Sequence, residues 1–547
     1  MTSPDSDPAT SAVLGKWVRR FPAFDVYAIG ILAVTAFGVA LRTYHLGTQS
    51  LWIDEISEGT TARAPLSQLF SALRADAGAA PLDYLGVKLF TSVLGHGTVA
   101  TRSWAFLMGC AGVFVIYKLG SRLYKDRVVG LIAAMLLAFS AFDIYYSQEA
   151  RYYSLTLLIG MLQLYVFLRA LDSRRAKDWI LYSAITVVAL YSHYFLASLL
   201  PIEGLYLAGA HLVLSAINRS DHPIKAGLVQ IGMCLVAQLA AVAVLAPWLL
   251  YALPTQVVGG YPTLPALGLA RVHQIFVVLI GLAPLNSVPP ASIGKMVRTD
   301  VILALATAGF VWALALRKMR VLLLVGIIAS TILVAWLSDQ RSHYFWSERQ
   351  VIFVLAPLYL LAAIGVRHLL GLAGQIAGSA AHRGWLGLPE VGWRDHRTAI
   401  SAGLGAVVMA GWLALYWSPV NLVYQDRWLP KEDWRGVTAY IDKEGCAGTQ
   451  YWTYINAHAS YGFAYYDPSL LSRGHFLWLL PDGSIDTSPI EAVQRQNLRI
   501  HDWIVLGAGS VADSTSGGTV DSVLRNLGWS PTSFLGLVVY HQETCGA

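Results

Sequence analysis

Residues 25–55 read DVYAIGILAVTAFGVALRTYHLGTQSLWIDE. Up to residue 43 the stretch carries no charge except Asp25 and Arg42. It is long enough to cross a bilayer, for which about 20 predominantly apolar residues suffice. It closes on Leu51-Trp52-Ile53-Asp54-Glu55, so two adjacent carboxylates emerge a few residues beyond a membrane span. Carboxylates beside lipid are costly unless they face water, a partner or a ligand. Two readings follow. Either the pair caps a juxtamembrane helix, or mutual repulsion raises the pKa of one member for proton transfer. Where the other charged residues fall decides between them.

The chain of 547 residues is 56% hydrophobic and 13% charged, with a mean hydropathy of +0.52. Soluble domains carry roughly 25% charged residues, so this is an integral membrane protein. Eighteen Trp and 27 Tyr suit the many membrane–water interfaces of such a chain. The net charge of +6 implies no nucleic-acid partner, because the cations fall in short loops between apolar runs.

Those runs lie near 25–43, 101–123, 128–146, 153–171, 179–195, 197–217, 226–251, 300–317, 320–338, 350–369 and 399–418. The expected architecture is an α-helical polytopic membrane protein of about 11–13 transmembrane helices. Lys16, Arg19 and Arg20 precede the first run, which reads as a retained helix behind a cytoplasmic segment 1–24. With the N-terminus inside, the clusters Arg122/Lys125/Arg127, Arg174/Arg175/Lys177, Arg219/Lys225, Arg317/Lys318/Arg320 and Arg367 to Arg397 all fall on the cytoplasmic side. The expected location is a plasma membrane, crossed many times. The outside segments are then 44–100, 147–152, 252–299, 339–349 and everything after 418. Within 44–100, residues 66–74 and 82–94 have helical apolar spacing but are too short to span, and read as interfacial helices. Residues 25–418 form the expected membrane domain. Residues 419–547 form a small extracytoplasmic α/β domain, with a helix from Lys431 and strands at Gln450–Ile455, Phe476–Leu480, Trp503–Leu506 and Phe534–Tyr540. Cys446 and Cys545 lie in that domain, where an oxidising compartment would favour a disulfide between them. Cys110 and Cys234 sit in apolar runs and read as packing residues.

The outside face collects the remaining polar chemistry. Asp83 and Tyr84 follow Pro81-Leu82. Glu149 and Arg151 lie in a Tyr-rich loop between two runs, and His193 and Tyr194 close another run. Arg341, His343, Tyr344, Glu348 and Arg349 precede the run at 350–369. Arginine offers a phosphate a planar fork of donors, and a carboxylate beside a hydroxyl acts as general base. Each residue also has a plainer reading, as a loop ion pair, an interface histidine or a snorkelling arginine. The histidines show no metal-ligand spacing and there is no Walker-type phosphate loop, so no cofactor is expected, although the carboxylates leave room for a divalent ion.

In this order, Trp52-Ile53-Asp54-Glu55, Pro81-Leu82-Asp83-Tyr84, Ser147-Gln148-Glu149-Ala150-Arg151-Tyr152, Ser192-His193-Tyr194 and Glu348-Arg349 resemble the bacterial family-39 branch of the GT-C glycosyltransferases. That branch is similar to protein O-mannosyltransferases and the lipid A aminoarabinose transferase. The resemblance implies an inverting hexosyl or pentosyl transfer from a polyprenyl-phosphate sugar to a glycan, lipid or protein hydroxyl on the outer face. It implies Asp54 as general base with Glu55 in support or on the sugar, and Arg151 and Arg349 on the donor phosphate. Asp83, Tyr84, Glu149, His193, Tyr194, His343, Tyr344 and Glu348 become candidate substrate contacts. One departure stands out. Many relatives carry a basic residue or His before a double proline, whereas this chain has Ala79-Ala80-Pro81-Leu82, leaving Lys88 or Arg74 to supply that cation. The alternative from another class is a transporter or flippase of a polyprenyl-linked substrate, for which Glu203, early in a span, is the one suitable intramembrane carboxylate.

Overall fold

The computed structural model describes residues 25–76, 80–218, 221–252, 254–255, 268–281, 293–342, 348–382, 393–425, 431–446, 448–453, 459–476, 498, 500–507, 514–515 and 518–545. Eight of its helices are long and apolar enough to cross a membrane, or nine if a bent pair counts as one span. The helices Ala176–Ser192 and Leu199–Asn218 account for two further apolar runs. The chain is a multi-pass helical membrane protein.

The first helix, Val26–Thr43, starts where the Asp25 carboxylate accepts the Tyr27 amide, a side-chain N-cap. Its far end carries Arg42, fully buried and paired with Asp143. That ion pair explains the bend. The run expected at 128–146 breaks into Arg127–Ala138 and Ala141–Ser147, which meet at 64°. A break inside lipid strands carbonyl groups that need donors. Arg42 supplies them, donating to Leu137 and Ala138 at 3.2 Å each, and its Nε reaches the Ser147 hydroxyl. Elsewhere in the bundle, Ile293–Ala315 and Leu355–His382 touch backbone to backbone. A Cβ on Gly309 would lie 2.0 Å from the Leu361 carbonyl, and one on Gly365 would lie 2.1 Å from that of Leu305.

The long first loop folds into three short helices. Leu66–Ala75 and Pro81–Leu94 correspond to the two apolar segments expected there, and Leu89 and Val93 remain exposed on the second. The third, Ile53–Arg63, carries Asp54 and Glu55 in its first turn, where acidic side chains complement the helix dipole. A 3-10 turn, Glu348–Val354, leads into Leu355–His382 and fixes Arg349 at the end of a span.

The last bundle helix runs to Tyr424 rather than stopping before Pro419, and the Tyr424 hydroxyl donates to the Leu41 carbonyl at 2.5 Å. Beyond it, helix Trp434–Glu444 packs on a five-stranded sheet in the order β2-β1-β3-β7-β6, with β1 Tyr451–Thr453, β2 Gly474–Phe476, β3 Trp503–Gly507, β6 Ser530–Phe534 and β7 Leu537–His541. A short hairpin of β4 Ser514–Thr515 and β5 Gly518–Thr519 lies apart from it. β1 pairs parallel with β2 and β3, while β7 runs antiparallel to β3, with Val505 opposite Val539. The single strand expected at Phe534–Tyr540 is instead the junction of β6 and β7. Gly536, at φ +69°, makes the turn that a residue with a side chain would strain to adopt. Leu51 and Ile56, from the loop and helix that carry Asp54, are fully buried in the same core as Trp434, Tyr451 and Trp503. The hydrophobic effect thus locks the C-terminal α/β unit onto the Asp54 helix.

Candidate active site

Asp54 and Glu55 are neighbours in sequence and face different surroundings. Glu55 is wholly buried and saturated. Arg102, at the start of helix Thr98–Tyr124, grips it with Nε and Nη2, both at 2.7 Å. The Ala150 amide donates to it at 2.9 Å and Lys431 Nζ at 3.1 Å. Burial pushes the Glu55 carboxyl up, but the Arg102 and Lys431 charges outweigh that and hold it at about 2. The remaining donors of Arg102 go to the Leu46, Gln49 and Ser50 carbonyls, so one guanidinium organises the whole turn before the helix. Glu55 is therefore held ionised, and it is closed off from any substrate.

Asp54 keeps 28% of its side chain exposed and meets Arg349 Nη2 at 3.3 Å. The Arg349 guanidinium lies over the rings of Trp52 and Tyr153, at 5.6 and 5.4 Å. An aromatic slot of this kind holds a guanidinium plane in place. The carboxylate and the arginine thus come together at one partly open mouth, from the first loop and the 3-10 turn Glu348–Val354.

Arg151 sits beside this mouth, 18% exposed, with Nη1 donating to Glu58 at 2.9 Å. Glu58, one turn along the Asp54 helix, lies beside Asp83, whose Oδ1 accepts the Trp104 indole at 2.9 Å. Burial and the adjacent Asp83 carboxylate drive Glu58 well above the usual range. Burial likewise lifts Asp83 to about 6, against the pull of Glu58 and Arg151. Two buried carboxyls in contact hold one proton between them near neutrality. Arg151 is thereby engaged by an anion of the protein itself. Tyr84 donates to Asp76 at 3.5 Å.

Glu149 is buried, 3.7 Å from Lys431, so Lys431 bridges Glu149 and Glu55 while its own exposure is 2%. Burial raises the Glu149 carboxyl and Lys431 partly restores it. His193 accepts the Phe195 amide on Nδ1 at 3.3 Å and contacts the Gln350 oxygen through Nε2 at 3.2 Å. Both of its ring nitrogens are thus occupied by the protein. Tyr194 belongs elsewhere: its hydroxyl accepts the Trp248 indole at 2.7 Å in a separate apolar cluster. Glu348 is buried beside Arg349 in the 3-10 turn. His343 and Tyr344 lie outside the described residues. Neither substitute cation faces the mouth. Lys88 caps the Asp54 helix through the Ala62 and Ala64 carbonyls, and Arg74 stacks on Tyr251. Glu203 accepts the Tyr182 hydroxyl at 2.5 Å inside the bundle, apart from the site.

Cys446 and Cys545 are bonded, with Cα atoms 4.8 Å apart. Among the described residues the one group of three metal-type donors close together contains both of those sulfurs and His501, and the site carboxylates do not form such a group. Sequence reading missed Glu58, Arg102 and the inward role of Lys431. Glu58 had a signal, since three and four residues separate it from Glu55 and Asp54 on one helix.

Residues 79–239 match the family model described as dolichyl-phosphate-mannose-protein mannosyltransferase. No curated protein matches the chain in sequence. Among solved structures, ArnT from Cupriavidus metallidurans bound to undecaprenyl phosphate is similar at 12% identity and a TM-score of 0.50, over 95% of this chain and 98% of that one. Its apo state gives 12% identity and a TM-score of 0.51, over 93% and 97%. The oligosaccharyltransferase AglB from Archaeoglobus fulgidus is more distant, at 11% identity and a TM-score of 0.47 over 90% and 70%. The fold is GT-C-like and is shared with those ArnT structures.

Proposed function

We propose that this chain is a membrane glycosyltransferase that moves a sugar from a polyprenyl-phosphate donor to an acceptor hydroxyl with inversion, on the extracytoplasmic face. The observation that carries the reading is the Asp54–Arg349 pair, a partly exposed carboxylate set against a slotted arginine at one mouth. In the proposed step, the acceptor oxygen attacks the anomeric carbon from the face opposite the phosphate. The carbon–oxygen bond to the phosphate breaks, and its electron pair leaves with the polyprenyl phosphate. Asp54 takes the hydroxyl proton as general base. Arg349 neutralises the charge that grows on the phosphate, so the leaving group needs no proton.

The undecaprenyl phosphate bound to the similar ArnT structure, and the mannosyltransferase family match, support a lipid-phosphate donor. The alternation of basic loops supports the face. Glu55 then acts as a fixed anion that positions the Asp54 helix. Arg151, already paired with Glu58, contributes to the wall of the pocket more than to the phosphate. Asp54→Asn tests the reading: sugar transfer from a labelled polyprenyl-phosphate donor in reconstituted vesicles should fall at least about a hundredfold, the low end for a lost general base. Expression and membrane insertion should be unchanged. An active Asn variant would remove Asp54 as the base.

A further inference from the structure

The end of the bundle remote from Asp54 has a feature that transfer chemistry does not use. Two adjoining cavities, of about 450 and 200 Å³, open there and share Lys125. Seven cationic side chains and two carboxylates line them, in a chain whose whole net charge is +6. The elements that contribute are distant in sequence: the end of Thr98–Tyr124, the end of Tyr153–Ser173, and the turn between Ile293–Ala315 and Val321–Ser342.

The two carboxylates do not neutralise the group. Asp172 holds Arg122 at 2.9 Å and also binds Arg320, which fixes both guanidinium groups at the wall. Asp126 is taken by Arg367, and Arg127 pairs with Asp25 at 2.6 Å. Lys118, Lys125, Arg317 and Lys318 have no carboxylate at ion-pair distance among the described residues. Lys125 and Arg317 also take left-handed backbone, at φ 56° and 55°, where a glycine would be easier. A topological charge bias needs cations only somewhere in the loops, and a helix C-terminus favours one nearby cation. Neither requires three segments to converge on a concave surface.

We propose that these cavities bind the phosphates of an anionic phospholipid, with a two-phosphate headgroup spanning both. Tyr165 lines the first and Tyr206 the second, the residue type that marks headgroup depth. Leu316 and Leu322, beside the second cavity in sequence, are 51% and 43% exposed, an apolar surface on which acyl chains can lie. Basic pockets between helix ends bind lipid phosphates of this class. A free phosphate shares the headgroup chemistry but gains nothing from the leucines.

The test uses the full chain in mild detergent, titrated with tetraoleoyl cardiolipin, dioleoyl phosphatidylglycerol, dioleoyl phosphatidylcholine or inorganic phosphate, with bound species counted by native mass spectrometry. Cardiolipin should be retained most strongly, phosphatidylglycerol next and phosphatidylcholine least. Lys125→Gln/Lys318→Gln should weaken cardiolipin roughly thirtyfold, about what two lost surface cations imply. Lys125→Arg/Lys318→Arg should keep binding, which separates lost charge from lost folding. Equal retention of phosphatidylcholine, or unchanged retention by the Gln variant, overturns the proposal. So does displacement of the lipid by millimolar inorganic phosphate, which would make this a site for a free anion.

Discussion

Lys431→Met puts the buried charge network to its sharpest test. The ammonium lies 3.1 Å from Glu55 and 3.7 Å from Glu149, with a further contact to the Gln148 carbonyl at 3.3 Å. At an effective dielectric of about 20, these two pairs are worth roughly 5 and roughly 4.5 kcal/mol by Coulomb's law. Desolvating the ammonium cancels much of that sum. What is left is about 3–5 kcal/mol, the usual cost of breaking a buried pair from one side. Exposure of 2% leaves almost no solvent screening to discount. Lys431 belongs to the C-terminal unit and its partners to the first loop and the Glu149 loop. The loss therefore falls on the docking of one onto the other. Amide exchange in reconstituted nanodiscs should show protection of Trp434–Glu444 and Ile53–Arg63 falling by about two to three and a half orders of magnitude.

The pH dependence has a defined sign. Burial already raises Glu149, and removing Lys431 raises it further. A carboxyl raised in the folded state contributes stability below its unfolded pKa that is lost as pH rises through the folded value. The deficit of Lys431→Met should therefore be larger at pH 8 than at pH 5.5. Lys431→Met/Glu149→Gln should recover most of it. Protection that changes less than about threefold, or a deficit independent of pH, would refute the network as a coupling device.

Other outcomes follow from neighbouring residues. Arg349→Ala should weaken undecaprenyl phosphate binding by about one to two orders of magnitude, the worth of a charge-assisted hydrogen bond; titration of the purified protein with that lipid measures it, and unaltered affinity excludes Arg349 from the phosphate. Asp83→Asn keeps the acceptor for Trp104 and gives Glu58 a permanent donor. Because Asp83 is raised from 3.8 to about 6, the wild type loses stability as pH rises through that window, by at most about 3 kcal/mol. The Asn variant should show a smaller drop in thermal midpoint between pH 5 and pH 8, and an identical drop would contradict the shared proton.

Local signals carried much of this fold. Apolar run length located the spans, and Asp54 and Arg349 stood out because charge beside lipid is costly. Arg102 was invisible because it opens an apolar run and looks like a flanking cation; its meaning lies in five donors directed at Glu55 and three carbonyls. Lys431 read as the start of a helix, since nothing in its neighbourhood predicts Glu55 as its partner. Periodicity reports which face of an element is apolar, not which distant charge will meet it. The β6–β7 turn was missed for a local reason: Leu535-Gly536 sits inside a run of strand-forming residues, and only the positive φ of Gly536 reveals it.

The two adjacent acids of the first loop do opposite work because they begin a helix. Successive helical side chains point about 100° apart, so one carboxylate turns into the protein and the other toward the mouth. Glu55 draws Arg102, the Ala150 amide and Lys431 around itself and stays charged at any physiological pH. Its anchoring sets the helix, and the helix sets Asp54 against Arg349. Lys431, Leu51 and Ile56 bind the same helix to the C-terminal unit, one through charge and two through apolar burial. That unit cannot leave without taking Lys431 away from a carboxylate that stays buried against Arg102. The C-terminal unit is thus packed and ion-paired against the helix that carries Asp54.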